Sequence, residues 1–192
     1  MGEMELPIQL TIAALVLLFT TGFIWFMVES VLNSGTHRIG YVSTNLRECR
    51  PVLASIIKKY VPDTSSVSYI EPGCGLGHLT RWAAREYTWK EVVGIDLRYS
   101  LLFAARLLAV GVRHKATFVR KNVFDYTYPK GALIYNYLYT PILTKLHDEG
   151  KLAGCLVVSL TFEIPGVTAT EKIPLQGWQG CMYVYDFRTN PQ

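Results

Sequence analysis

Glu71-Pro72-Gly73-Cys74-Gly75-Leu76-Gly77 sets a carboxylate two residues ahead of three glycines at every second position. Glycines so spaced let the backbone take positive φ and let a ligand come against the main chain with no Cβ in the way. The turn follows a short apolar run over 67–70 and opens a helical pattern from residue 79, the setting in which such a turn cradles a nucleotide. A dinucleotide fold reads GxGxxG, and its last glycine would stand where this chain has His78, so the register here is GxGxG. Asp96 closes the next apolar run, 19 residues beyond Gly77. An acid at that strand end can accept both hydroxyls of a ribose, or it can simply oppose the dipole of the following helix. Joined to the glycine turn in one βαβ unit, it reads as the ribose acid.

Other residues with chemical capacity are sparser. Cys49, Cys74, Cys155 and Cys181 form no CxxC, and the four histidines show no paired ligand spacing, so neither a zinc site nor a disulfide framework is expected. His78 and His147 are candidate bases, although a lone histidine more often has a structural place. Tyr135, Tyr137 and Tyr139 recur with period two, which puts three rings on one side if the strand runs that far. Electron-rich faces stabilise a cationic group; the competing reading for alternating aromatics is core packing.

The elements that must hold these residues follow from periodicity. Pro51 suits the first turn of a helix whose apolar face is Val52, Leu53, Ile56, Ile57 and Tyr60, ended by Pro62-Asp63. Strands are expected over 67–70, 92–96, 116–119, 132–137, 155–160 and 182–187, with helices over 79–87, 100–110 and 142–147. Strands alternating with helices of this length give a doubly wound, mainly parallel α/β sheet covered on both faces. The segment 163–180 carries Pro165, Gly166, Pro174, Gly177, Trp178 and Gly180, and reads as a long loop able to act as a lid.

Ahead of this domain stands a segment of another kind. Residues 6–28 contain no ionisable side chain, between Glu5 and Glu29. At about 1.5 Å per residue they cover a hydrocarbon layer of about 30 Å, and no polar stripe marks one side. This segment accounts for a mean hydropathy of +0.21 in a chain that is half hydrophobic. We read residues 6–28 as a single transmembrane anchor, 29–44 as a linker and 45–192 as the α/β domain. A cleaved signal peptide fits less well, because the N-terminal flank holds acids and no Lys or Arg. Basic residues on the other flank (His37, Arg38, Arg47, Arg50) orient the domain to the cytoplasmic side. All 19 Lys and Arg but only 12 of the 15 acids lie in residues 31–192, a net +7. That charge suits anionic headgroups. Nucleic acid is the competing partner and is not expected, since no Lys/Arg run or aromatic RNA signature is present.

The acid-x-Gly-x-Gly-x-Gly turn with an acid at the next strand end resembles the nucleotide half of class I S-adenosylmethionine-dependent methyltransferases, with their seven-strand, Rossmann-like sheet. The resemblance implies S-adenosyl-L-methionine as cofactor, Glu71 at the methionine amino end, the backbone of Gly73, Gly75 and Gly77 lining it, and Asp96 on the ribose. Asn122 falls where that superfamily often has an Asp toward the adenine, and an amide oxygen can accept the same bond. A narrower resemblance runs from Tyr41 to Phe187. Tyr41-Val42-Ser43-Thr44, Val93-Gly-Ile-Asp-Leu-Arg-Tyr-Ser-Leu-Leu-Phe-Ala-Ala-Arg106, Gly111-Val112, Asn122-Val123-Phe124 and Met182-Tyr-Val-Tyr-Asp-Phe187 are similar to the membrane-anchored protein lysine methyltransferases, mitochondrial members of which modify the ATP synthase c-subunit and the adenine nucleotide translocase. That group usually reads Asp-x-Gly-Ser-Gly-Asp-Gly-Arg where this chain has Glu71, Cys74, Leu76 and His78. The resemblance implies a lysine of a membrane-embedded protein as acceptor and Tyr41 beside the cofactor; it names no catalytic residue, and Tyr137 and Tyr139 are candidates only from their place beyond the end of the fourth strand, where an acceptor would sit. The Asn-Pro-Pro-Tyr signature of base methylation is missing, for Asn136-Tyr137 lacks the prolines. A lipid or quinone-like acceptor, or a non-catalytic cofactor-binding scaffold, are the alternatives.

Overall fold

The computed structural model describes residues 5–37, 42–112 and 116–189, and the chain divides into two compact units, Met1–Gly40 and Tyr41–Gln192. The first is a single helix, α1 (Glu5–His37). Its stretch Pro7–Glu29 is long and apolar enough to cross a membrane, and side chains such as Leu17, Leu18 and Phe19 are 67, 71 and 75 % exposed. The hydroxyls of Thr11 and Thr20 donate back to the carbonyls of Pro7 and Val16 at 2.8 and 2.9 Å, which satisfies them without water. The helix continues past the apolar stretch, so residues 29–37 are helical.

The second unit is a seven-stranded sheet, β1 (Ser68–Pro72), β2 (Glu91–Asp96), β3 (Ala116–Arg120), β4 (Leu133–Asn136), β5 (Leu156–Leu160), β6 (Glu171–Pro174) and β7 (Cys181–Asp186), in the order β3-β2-β1-β4-β5-β7-β6. All neighbours are parallel except β7, which is antiparallel to both β5 and β6. The central strands β1, β4 and β5 are buried along their whole length, as expected of parallel strands covered on both faces. Alternate residues serve alternate faces. Tyr69, Leu133, Tyr135, Leu156 and Val158 join Leu53, Ile56, Ile57, Leu79 and Ala83 of α2 (Leu46–Tyr60) and α3 (His78–Glu86). Ile70, Ile134, Val157 and Tyr185 join Leu143 and Leu146 of α5 (Thr140–Asp148). A smaller cluster packs Leu102 and Ala105 of α4 (Tyr99–Leu108) on Phe118 and Cys74. Chain order reverses between β1 and β4, and ligands of such sheets sit over the carboxyl ends at that switch.

Three expectations need correction. Helix α2 begins before Pro51, because the side chain of Asn45 caps it by accepting from Arg47 N–H; Pro51 lies inside the helix, and its missing N–H leaves the Arg47 carbonyl without its helical partner. Strand β4 stops at Asn136, so Tyr137 and Tyr139 lie beyond it and only Tyr135 follows the strand alternation. The expected loop over 163–180 contains the edge strand β6, paired from Glu171↔Val184 to Pro174↔Cys181. Four residues with alternating burial gave too weak a pattern to read amid the prolines and glycines.

Candidate cofactor and acceptor site

Glu71 is buried one residue before the end of β1, and its Oε2 accepts from both the N–H and the hydroxyl of Thr80 in the first turn of α3, the N–H at 2.6 Å. Both bonds land on one oxygen, which leaves Oε1 for another donor. Burial pushes the Glu71 carboxyl up to about 7, against the downward pull of the Thr80 bonds. The turn that follows is anchored on β2: the N–H groups of Gly73 and Cys74 donate to Ile95 O at 2.7 and 2.9 Å, and Gly75 N–H donates to Asp96 Oδ2 at 2.9 Å. Positive φ at Gly73, Gly75 and Gly77 (73, 54 and 66°) makes this path open to glycine and strained for other residues. At Gly77 a Cβ would also stand 2.3 Å from the Phe118 ring.

Asp96 is buried, and its other oxygen accepts from Arg98 N–H at 2.9 Å with the Arg98 guanidinium 3.8 Å away. The carboxylate that the sequence assigns to a ribose thus also fastens the glycine turn. Asn122 follows Lys121, whose N–H donates to Asp96 O at 3.2 Å, and its Oδ1 accepts from Phe124 N–H at 3.1 Å in a turn of its own. Glu71, Gly73, Gly75, Gly77, Asp96 and Asn122 therefore gather over the carboxyl ends of β1, β2 and β3. Tyr41 lies outside the described residues. His78, at the missing third glycine, accepts on Nδ1 from Arg81 at 3.1 Å; burial, then Arg81 and Arg50, push its pKa down, so its neutral form prevails.

Two further residues of this half were missed in the sequence, and only the first carries a local signal. Gly94, isolated inside the apolar run of β2, is where α3 and the turn come closest: a Cβ there would meet Cys74 Sγ and Phe118 at 2.9 Å and Thr80 Oγ1 at 3.0 Å. An isolated glycine in a strand often marks such an approach. Thr80 has no local signal, since its role depends on how α3 folds back on β1.

Over β4 and β5 the arrangement differs. Tyr135 points into the α2/α3 core and is 1 % exposed, whereas the rings of Tyr137 and Tyr139 both face Phe162, with centroids 5.8 and 5.0 Å away. Phe162 was missed because it lies outside every strand pattern. It is aimed by a γ-turn in which Phe162 N–H donates to Leu160 O at 2.8 Å across Thr161, whose φ of 69° is the one positive value at a non-glycine among the described residues. The turn is braced by Thr161 Oγ1 on Gln179 O at 2.8 Å and Ser159 Oγ on Phe162 O at 2.6 Å. Beside it Asn136, 1 % exposed, makes only long bonds of 3.3–3.5 Å to Ser159, Leu138 and Val158. Strained backbone of this kind concentrates at functional sites. The loop after β6 is fastened to α2 instead of hanging as a lid: Gly177 N–H donates to Glu48 Oε2 at 2.9 Å and Asn45 N–H to Gln179 Oε1 at 2.9 Å.

No family model matches this chain, and no curated protein does. Solved structures do. An RNA methyltransferase from Salinibacter ruber, in complex with S-adenosyl-L-homocysteine, superposes with a TM-score of 0.65 at 22 % identity, covering 79 % of this chain and 97 % of that one. The ribosomal protein L11 methylase of Lactobacillus delbrueckii subsp. bulgaricus gives 0.55 at 16 % identity (74 % and 79 %), and the 23S rRNA methyltransferase ErmE gives 0.53 at 15 % (74 % and 69 %). At such identities the likeness carries the fold and does not single out the lysine-modifying group. The second unit has the seven-stranded, Rossmann-like fold of the S-adenosylmethionine-dependent methyltransferases.

Proposed function

We propose that this protein is a membrane-anchored methyltransferase that takes the methyl group of S-adenosyl-L-methionine to a lysine amine of a membrane-associated protein. The observation that carries the cofactor half is the glycine turn locked to Asp96 at the switch between β1 and β4. Its fold is that of methyltransferases, one of them solved with S-adenosyl-L-homocysteine. Glu71, Gly73, Gly75, Gly77 and Asp96 would hold the cofactor, which supplies a sulfonium methyl for in-line displacement. The protein's part is to bring a neutral amine into line, exclude water and accommodate the positive charge of the product.

Tyr137, Phe162 and Tyr139 supply aromatic faces for that charge. No described residue near the site is needed as a strong acid. The apolar stretch of α1 holds the enzyme at the bilayer, and tethering raises the effective concentration of an embedded target. The basic flank after the apolar stretch supports a cytoplasmic side for the domain.

The test is to add purified full-length protein and methyl-labelled cofactor to membranes that lack it. Label on protein, recovered as methyl-lysine after hydrolysis, is the expected result. Label extracted into organic solvent would replace lysine by a lipid or quinone-like acceptor, and cofactor binding with no transfer would make the protein a scaffold.

A further inference from the structure

Helix α4 carries an apolar face that the described residues leave open. Leu101, Leu102 and Ala105 turn to the sheet, while Tyr99, Phe103 and Leu107 follow one another at four-residue steps along the opposite side, the rings of Tyr99 and Phe103 stacked at 6.5 Å. Val110 continues the stripe in the turn after the helix. Phe103, Leu107 and Val110 are 52, 59 and 81 % exposed, and five of the nine large apolar side chains exposed in the described part of the second unit fall between Tyr99 and Val110. Single exposed apolar residues are ordinary, but a contiguous stripe marks a contact surface.

The stripe has a basic setting. Residues 97–124 hold six Lys or Arg and no Asp or Glu. Arg106 Nη2 donates to Phe118 O at 2.6 Å and Arg120 Nε to Leu97 O at 3.1 Å, so backbone carbonyls hold both guanidinium groups where α4 meets the edge strand β3. Arg81 Nη1 donates to Leu108 O at 3.3 Å and sets a third at the C-terminus of α4. Among the described residues none of these three is in an ion pair with an acid, which leaves their charge for a partner outside the chain.

Apolar side chains ringed by cations make up an interfacial segment, whose apolar atoms enter the acyl boundary while the cations stay at the phosphates. At ten residues α4 is too short to cross a bilayer and long enough to lie on one. Nucleic acid would take up the arginines and give Leu107 and Val110 no partner. A second copy of the same face would set arginine against arginine. A bilayer satisfies both features, and the apolar stretch of α1 keeps one within reach. We infer that the face from Tyr99 to Val110 lies in the headgroup layer of an anionic membrane, so that the α/β domain docks on lipid by its β3 edge. This rests on the reading of residues 6–28 as an anchor and is independent of the methyl acceptor.

The test uses full-length protein at low density in vesicles of phosphatidylcholine, with and without phosphatidylglycerol. A diazirine reagent confined to the lipid phase is activated by light, and peptide mass spectrometry locates the label. Label is expected on residues 99–110 as well as on 6–28, with the α4 share roughly fivefold higher when the anionic lipid is present and reduced by high salt. Phe103→Ser combined with Leu107→Ser, both at exposed positions, should lower label on α4 by about the same factor and leave label on 6–28 and thermal unfolding unchanged. Label confined to 6–28 in both lipids, or α4 label indifferent to lipid charge and to the double variant, would overturn the inference. Dimers crosslinked through α4, or α4 protected by added RNA and unlabelled from lipid, would give the face to a second copy or to nucleic acid and overturn it equally. No label on 6–28 would instead overturn the anchor reading beneath it.

Discussion

Over β1 and β2 the candidate site is built mostly of backbone, placed by three glycines with positive φ and tied by N–H donors to Ile95 O and the Asp96 carboxylate. Over β4 and β5 they are side chains, Asn136, Tyr137, Tyr139 and Phe162, drawn from two segments and aimed by a strained γ-turn at Thr161. The first construction suits a ligand that never changes, because main-chain geometry tolerates few substitutions. The second suits an acceptor that differs between enzymes of one fold, because side chains can be exchanged while the sheet stays.

That contrast can be broken by substitution, and the largest effect is expected on the backbone side. Gly77→Val places a β-branched residue at φ 66° with its Cβ against the Phe118 ring. Strain and overpacking together should cost on the order of 3 kcal/mol or more, and chemical denaturation should show it together with loss of cofactor binding. A stable Gly77→Val protein would mean that the turn is less constrained than described.

Acid titration reads the same side without mutation. Burial raises the folded-state pKa of Glu71 from 4.5 to about 7. Between those values the folded chain keeps a proton that the unfolded chain releases, so stability from this group is full below pH 4.5 and falls as pH rises toward 7, by roughly 3 kcal/mol in all. Glu71→Gln should flatten that slope. A cationic ligand group on Glu71 favours its ionised form, so cofactor affinity should increase with pH through about 7, with proton release on binding below it; calorimetry in buffers of different ionisation enthalpy measures both.

On the side-chain half, Phe162→Ala removes the ring shared by Tyr137 and Tyr139. A loss of about 0.5–2 kcal/mol in acceptor binding is expected, appearing as a higher KM for the acceptor with cofactor affinity unchanged. Equal losses for both substrates would erase the distinction between the halves. The smallest effect belongs to Thr161→Gly, where relief of positive φ offsets loss of the hydroxyl bond to Gln179 O; stability should stay within about 1 kcal/mol of wild type, while mobility at Phe162 lowers turnover.

The glycine turn, Asp96 and the alternation of strands and helices along the chain were legible because each rests on local rules: glycine at fixed spacing, an acid at a strand end, apolar runs between turns. The same rules misplaced the start of α2, since a proline in a helix looked like part of its first turn although Asn45 caps it. They also left one face for the three tyrosines conditional on the strand reaching Tyr139, a condition that the end of β4 at Asn136 does not meet. Phe162, Thr80 and Gln179 gave no sign, because each acts on a partner distant in sequence: 23 to 25 residues for Phe162, 9 for Thr80, and 134 for Gln179 on Asn45.

By itself, then, the sequence determined that an apolar segment long enough for a bilayer precedes an α/β domain with a glycine-rich turn and an acid at the next strand end, since composition and short-range spacing are properties of contiguous chain. Which side chains complete the site was decided by tertiary structure alone. Positions such as Phe162 and Gln179 acquire their neighbours only when β5, β7 and the loop after β6 pack against β4 and α2, and no local pattern encodes that meeting.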